Sequence, residues 1–365
     1  MTIMSSLRWK AAAVALLVLV ITASIIFTGC SAPGKGKTGG QDGTNTPQEN
    51  QAGQDQNGQA GTQEPVLKEP ALNPLTGITV EKVNLEQRPL AVMVENSPPA
   101  RPQSGLDKAD IVYEVLAEGG ITRFMAIFYG GDTGEVGPVR SARPYFLARA
   151  LEYDALYVHS GGSPEALAQI KELRIADLDQ FGNNYPFWRS RDRKAPHNLY
   201  GDTRKMRKVA QKKRPDWKAG VPAFAFLEKG QENPDGLPVN SLTINYANKA
   251  SQVKYEYNPS DKQYYRSNGG KAHKDAVTGN RLTATNIIVQ FTGTKVIDGE
   301  GRRKVSMVGT GKGFLFTGGQ RYQIEWAKDN LRSATRYTLA GGKEMFLNPG
   351  RTWIQVVPKG TEITN

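Results

Sequence analysis

The chain has 365 residues, with one cysteine, three histidines and 47 Lys+Arg against 35 Asp+Glu, a formal net charge of +12. A single cysteine excludes an internal disulfide framework and any cysteine-based zinc cluster, and three histidines argue against a histidine-rich metal site. The length suits two domains once non-globular segments are set aside.

The N-terminus reads as an export and anchoring signal. Arg8 and Lys10 form a positive n-region, and an apolar run follows over 11–27. Seventeen such residues are short for a membrane span and fit a signal h-region. The run ends in Phe27-Thr28-Gly29-Cys30, a small residue before the only cysteine, which resembles a bacterial lipobox. Residues 1–29 are therefore expected to be a lipoprotein signal peptide and Cys30 the lipidation site; the alternative is an uncleaved transmembrane anchor. Either way the body is expected at the cell membrane, on its extracytoplasmic face, tethered through the anchor. Cleavage removes Arg8 and Lys10, leaving 45 basic against 35 acidic residues. Two acyl chains, each CH₂ contributing about 0.8 kcal/mol, suffice for stable anchoring.

Residues 30–70 read as a disordered linker. Gly, Gln, Thr, Pro, Asn and Ser fill 27 of the 40 positions in 31–70, and aromatics are absent. Such a segment cannot bury enough apolar area to offset its ordering entropy, and its r.m.s. span is roughly 35 Å.

Residues 71–215 are expected to form an α/β domain with a mixed sheet. The segment 89–95 (PLAVMVE) has the continuous apolar character of a buried strand, and 109–116 and 121–129 are β-rich. Gly119 and Gly120 suit the turn between the last two. A Gly-rich loop, 130–139, precedes a helix expected over 142–153 with Ser141 as cap and Pro144 in its first turn. The segment 154–159 reads as a strand, Ser163-Pro164 opens a second helix, and a basic helix spans roughly 203–213 and stops before Pro215. Residues 216–365 are expected to be a mostly antiparallel β domain: short runs such as 242–246, 251–257, 263–266, 285–291, 313–316, 321–327 and 352–357 alternate with Gly- and Asn-rich turns, and 223–227 and 344–347 are expected as further strands. The fold class is thus α+β, an α/β half followed by a β half.

Three constellations point to anion binding. His159-Ser160-Gly161-Gly162-Ser163 lies at the carboxyl end of a strand and opens a helix, the geometry of a phosphate cradle. The competing reading is a capped turn whose glycines serve its geometry. Arg101, Arg123, Arg140 and Arg143 sit on loops or strand ends, and the last two fall at a helix start, where a cation is poorly placed unless an anion is bound. Their competing partners are Glu95, Asp110, Glu114 and Glu118. The stretch 189–214 holds eleven basic and two acidic residues. It is either a solvated face or a contact for anionic lipid or wall polymer, while nucleic acid is not expected in this compartment. Within it, Arg189, Arg193, His197 and Asn198 lie beside Trp188 and Tyr200, as in a glycan- or phosphate-contacting loop. Asp110, Glu114 and Glu118 alternate onto one strand face, as salt-bridge partners, acid–base groups or metal ligands.

The runs 88–96 (RPLAVMVEN), 109–114 (ADIVYE), 122–124 (TRF), 137–143 (GPVRSAR), 159–163 (HSGGS), 195–200 (APHNLY), 286–290 (NIIVQ) and 350–354 (GRTWI) resemble the YerB-like lipoproteins of Gram-positive bacteria over about 72–360. That resemblance implies an exported, lipid-anchored envelope protein with two adjoining domains of unknown function, and implies no activity. Its partners would be an anionic wall polymer, peptidoglycan or an envelope protein, with no cofactor. The order of elements is also similar to that of the LytR-CpsA-Psr phosphotransferases, which act on lipid-linked wall glycopolymers. That similarity would make Asp110 a metal-binding carboxylate, with magnesium as cofactor, and Arg140 a pyrophosphate ligand. The carboxylate following the arginine in that family is Ser141 here, which places the cleavage chemistry in doubt.

Overall fold

The computed structural model describes residues 69–218 and 220–365; Cys30, the expected signal segment and all but the last two residues of the expected linker lie outside them. Glu69 leads into a small hairpin, Pro70–Leu72 with Thr79–Glu81, and a short helix, Lys82–Leu85.

The following elements build the body. Strands β1 (Leu90–Glu95), β2 (Ile111–Leu116) and β3 (Thr122–Phe128) come first. Helix α1 (Pro144–Glu152), β4 (Leu156–His159), helix α2 (Pro164–Glu172) and β5 (Asp177–Asp179) follow. A two-stranded ribbon, β6 (Phe187–Arg189) and β7 (Leu199–Gly201), leads to helix α3 (Thr203–Lys213). The second half supplies β8 (Leu237–Pro238), β9 (Ser241–Asn245), β10 (Gln252–Asn258), β11 (Gln263–Asn268), β12 (Lys271–Ala272) and β13 (Thr283–Ala284). It continues with β14 (Asn286–Thr292), β15 (Gly309–Thr317), β16 (Gln320–Lys328), β17 (Arg336–Leu339), β18 (Thr352–Pro358) and β19 (Ile363–Thr364).

One sheet runs through both halves in the order β8-β16-β15-β14-β18-β2-β3-β1-β4-β5, with β17 paired to β16. The first half is mixed: β1, β4 and β5 are parallel neighbours, and β3 is antiparallel to β1 and β2. The second half is mostly antiparallel, but β18 is parallel to both β14 and β2 and joins the halves. A smaller antiparallel sheet, β12-β11-β10-β9-β19 with β13 on β11, forms a separate layer.

The central strands β1, β2 and β3 are buried at every position, because both faces are covered. One face, with Ala91, Met93, Tyr113, Val115 and Met125, packs on α1 and α2. The other, with Val92, Val94, Val112, Phe124 and Trp353, packs on Met206 and Ala210 of α3 and on the smaller sheet through Leu242, Ile244, Val253 and Tyr255.

A closed polar seam joins the two sheets. Glu114 on β2 and Arg266 on β11, both fully buried, meet at 2.7 Å. The second Glu114 oxygen accepts from Thr122 Oγ1 (2.6 Å) and Asn96 Nδ2. Arg266 also donates to Tyr255 OH and His273 Nδ1, and its guanidinium lies 4.3 Å from the Trp353 ring centre. An arginine only donates, so His273 Nδ1 is the acceptor and its Nε2–H donates to Gln103 Oε1 (2.6 Å). Burial, then the nearby Arg266 and Arg101, hold this imidazole neutral, well below its ordinary pKa.

Several expectations meet the structure closely: α2 begins at Pro164 with Ser163 accepting from Ala166 N, and α3 spans Thr203–Lys213. Others shift. Helix α1 starts at Pro144 with Arg143, not Ser141, as its N-cap residue, and Arg143 makes no side-chain cap. The segments 223–227 and 344–347 are not strands and meet only through a single bridge, Phe226 to Leu347. Among the described residues no helix is long and apolar enough to cross a membrane.

Candidate functional site

The parallel strands β1, β4 and β5 end on the same edge of the sheet, at Glu95, His159 and Asp179. In open α/β sheets, the crevice beyond such carboxyl ends is where ligands bind. A cleft of about 550 Å³ opens there, lined by Arg140, Ser141, Ser160, Gly161, Gly162, Asp179, Phe181, Arg189 and Pro196. The sequence placed Arg140 and the Ser160–Gly162 turn in one site, and the fold brings them together.

The turn itself is not an open anion cradle. Ser160 N donates to Arg140 O and Ser163 N to Ala142 O, while Gly161 O accepts from Ala142 N. Gly161 N, at φ +59°, donates to Asp179 Oδ1 at 2.8 Å, so a carboxylate of the protein already sits where an anion would. Ser163 Oγ caps α2. His159 is fully buried; its Nδ1 faces Gly161 O (2.9 Å) and its Nε2 faces Asp177 (3.3 Å), a structural role that shapes the turn. The cradle expectation is corrected on this ground: the backbone N–H groups of Ser160, Gly161 and Ser163 are consumed locally. What reaches the cleft from the turn is the Ser160 hydroxyl, in a long 3.4 Å contact with Gln180 Oε1, and the small Gly161–Gly162 surface.

The arginines divide in the same way. Arg101 donates all its nitrogens to Asn96 and to Ala250 O; burial pushes its pKa down to about 10. It fastens the 96–101 segment to the smaller sheet and does not enter the cleft. Arg123 is buried, donates to Ser141 O (2.9 Å) and lies 3.6 Å from Glu118. Arg143 pairs with the same Glu118 through Nε and donates to Ala142 O. Burial pushes the Glu118 carboxyl up, but Arg143 and Arg123 together bring it below the ordinary range. Arg193 donates to the carbonyls of Ala100 and Pro102 (both 2.6 Å) and pins its loop. Asn198 is buried, accepting from Arg189 (2.9 Å) and donating to Ser190 O. Arg101, Arg123, Arg143, Arg193 and Asn198 are therefore scaffold.

Arg140 differs. Its Nε is buried without a hydrogen bond and lies 3.6 Å from Glu95 Oε1; its two terminal nitrogens have no partner among the described residues. Glu95, 3% exposed, also accepts from Ser97 Oγ (2.8 Å) and from His197 Nδ1 (3.0 Å). This carboxylate orients Arg140 at the cleft wall and His197 beside the lining residue Pro196, and leaves the imidazole Nε2 without a partner among the described residues. Phe181, 76% exposed, stands on the opposite rim, its ring over Gly161. Sequence reasoning named Glu95 only as a neutralising partner and missed Phe181 and Asp179 altogether. A lone carboxylate closing an apolar strand was the signal for Glu95; nothing local marked the other two.

Asp110 is corrected. It precedes β2, and the register pairs Ile111 with Ile127 and Leu116 with Thr122, which puts Asp110 at the opposite end of the strands from Arg123, Glu95 and Arg140. Both its oxygens are used, accepting from Tyr129 N (2.6 Å), Gly130 N and Asn73 Nδ2 (2.8 Å), and burial raises its pKa. It closes a turn and is not placed as a metal carboxylate beside Arg140. No group of three or more His, Cys, Asp or Glu side chains is arranged to hold a metal ion among the described residues.

Comparison with known proteins gives the family. Residues 75–217 match the protein of unknown function (DUF3048) N-terminal domain, and 242–354 match its C-terminal domain. The chain is 39% identical over 294 residues to "Putative lipoprotein YerB" of Bacillus subtilis (strain 168), covering 78% of this chain and 86% of that protein. It also matches the crystal structure of the YerB protein from Bacillus subtilis, with TM-score 0.72 and 36% identity, over 81% of this chain and all of that one.

Proposed function

The chain belongs to the DUF3048 family of YerB-like proteins, and from that premise we propose that it is a lipid-anchored protein of the bacterial envelope whose cleft binds an anionic wall glycopolymer. Acylation at Cys30, after removal of residues 1–29, and a flexible spacer over 30–70 would hold the body on the extracytoplasmic face of the membrane. The relative's name as a lipoprotein and the Phe27-Thr28-Gly29-Cys30 sequence support this address.

One observation carries the ligand class. Arg140 keeps both terminal nitrogens without a partner among the described residues, while Arg123 and Arg143 pair with Glu118. A guanidinium fork with both terminal nitrogens unpaired suits a phosphate or carboxylate. Arg189 adds a second charge on the wall, and exposed Phe181 offers a ring against which a sugar face can stack. The reading requires no cofactor; magnesium would belong to a phosphotransferase, whose expected metal carboxylate, Asp110, lies elsewhere.

The test is equilibrium binding of poly(glycerol phosphate) wall polymer to the full chain. Arg140→Ala is expected to weaken binding at least tenfold with the fold retained, and Phe181→Ala to weaken binding of glycosylated polymer more than of the bare polyphosphate. Unchanged affinity in Arg140→Ala would overturn the reading.

A further inference from the structure

A second groove, of about 430 Å³, lies at the other end of β1, between α3 and the chain that enters the sheet. Its wall carries Arg88, Arg204, Arg207, Lys208 and Arg214 against two carboxylates, Glu86 and Asp132. Asp132 accepts from Arg207 Nε (2.7 Å) and Thr203 Oγ1 (2.8 Å), both at Oδ1, and Glu86 is exposed. Arg207 is fully used, its remaining nitrogens donating to the carbonyls of Arg88, Phe128 and Gly131, so it builds the wall.

Two other groups are not satisfied. The Arg88 side chain is 4% exposed; Nε and Nη2 donate to Asp154, but Nη1 is buried with no acceptor. The Trp217 indole Nε1 is likewise buried with no acceptor, and Trp217 lines the same groove. Buried donors are seldom left unpaired, because the lost water is not replaced. Here two such residues, from separate parts of the chain, line one groove. Lys208 has no partner among the described residues, and Arg214 is held only through Nε, by exposed Asp216. The groove therefore carries five cationic side chains against two carboxylates, an excess of donors and of positive charge.

We propose that this groove is an anion site distinct from the cleft, built for a phosphate group taken by Arg88 Nη1 and Trp217 Nε1 with Lys208 and Arg214 around it. A tetrahedral anion offers oxygens to donors arriving from different directions, which a single water cannot do for two cations and an indole at once. The first described residues approach this groove: Lys82 N donates to Glu69 O, and the helix ending at Leu85 leads into the groove wall. The phosphate can belong to a lipid headgroup or be free in solution, and the experiment separates the two.

The full chain is labelled with 5-fluorotryptophan and held in phosphatidylcholine nanodiscs; Trp217→Phe identifies the Trp217 fluorine resonance. Inorganic phosphate is titrated against potassium chloride of matched ionic strength. In parallel, discs containing phosphatidylglycerol are compared with phosphatidylcholine alone. A saturable phosphate-specific shift assigns a soluble phosphate, and a shift between disc types assigns a headgroup. Either is expected to need at least tenfold more ligand in Lys208→Glu, an exposed position whose change leaves the fold intact. No shift in either arm, or an equal response in Lys208→Glu, overturns the proposal.

Discussion

Arg266 and Arg140 stand in two regions of one molecule and are put to opposite uses. In the seam between the sheets, every Arg266 nitrogen has a partner, and Glu114, Tyr255 and His273 are themselves satisfied. In the cleft, Arg140 has a carboxylate at arm's length and two nitrogens facing nothing. Residue type cannot tell these cases apart, whereas hydrogen-bond satisfaction does: a closed network rigidifies, and an open one leaves donors over.

The comparison breaks most visibly at the seam. Arg266→Met strands the Glu114 carboxylate among buried groups and is expected to cost about 3–5 kcal/mol, measured by denaturant unfolding. A loss under about 1 kcal/mol would mean the seam is no more structural than the cleft.

Acid sharpens the contrast next. Burial raises the Glu152 and Glu118 carboxyls, but Arg149 and Lys328 around the first, and Arg143 and Arg123 around the second, bring both below their ordinary range. Groups with depressed folded values contribute stability above the unfolded carboxylate pKa, about 4.3, and lose it as pH falls through the folded value. Thermal unfolding should therefore weaken steadily below about pH 4.5. The deficit of Glu118→Gln relative to the parent should be full at pH 7 and shrink as pH falls; a constant deficit would refute the assignment.

At the turn, Gly161→Ala places a Cβ at φ +59° and within 3.0 Å of the Phe181 ring. The left-handed backbone alone is expected to cost about 1 kcal/mol, and the displaced ring should lower polymer affinity as well. Smallest in stability is Arg140→Ala, expected within about 1 kcal/mol of the parent, since its ion pair is long and partly solvated. Its effect belongs to binding.

Much of the fold was legible because it rests on local pattern. The apolar run 89–95 gave β1, Ser163-Pro164 gave the start of α2, and the basic run gave α3. The single sheet spanning both halves was not, because β18 pairs in parallel with strands about 65 and 240 residues earlier, and no short-range signal records such a partner. In the site, Arg140 and the glycine turn were correctly placed in one cleft. The pairing of Arg123 and Arg143 with Glu118 is one of the alternatives the sequence offered, whereas the fate of Gly161 was not foreseeable, since it depends on Asp179, a carboxylate brought in by a separate element. Asp110 failed because even spacing fixes a strand's face and not which end of the sheet a residue occupies.

The position of β18 has a consequence for biogenesis. Residues 352–358 emerge last but one among the strands, yet they fill the gap between β14 and β2 at the middle of the sheet. Until they arrive, two interior strands present bare backbone edges, a form that invites pairing with other chains. A chain made from its N-terminus thus leaves this sheet unsealed until residues 352–358 are present, and a nonsense codon before 352 should yield an aggregating product, not a shortened working one.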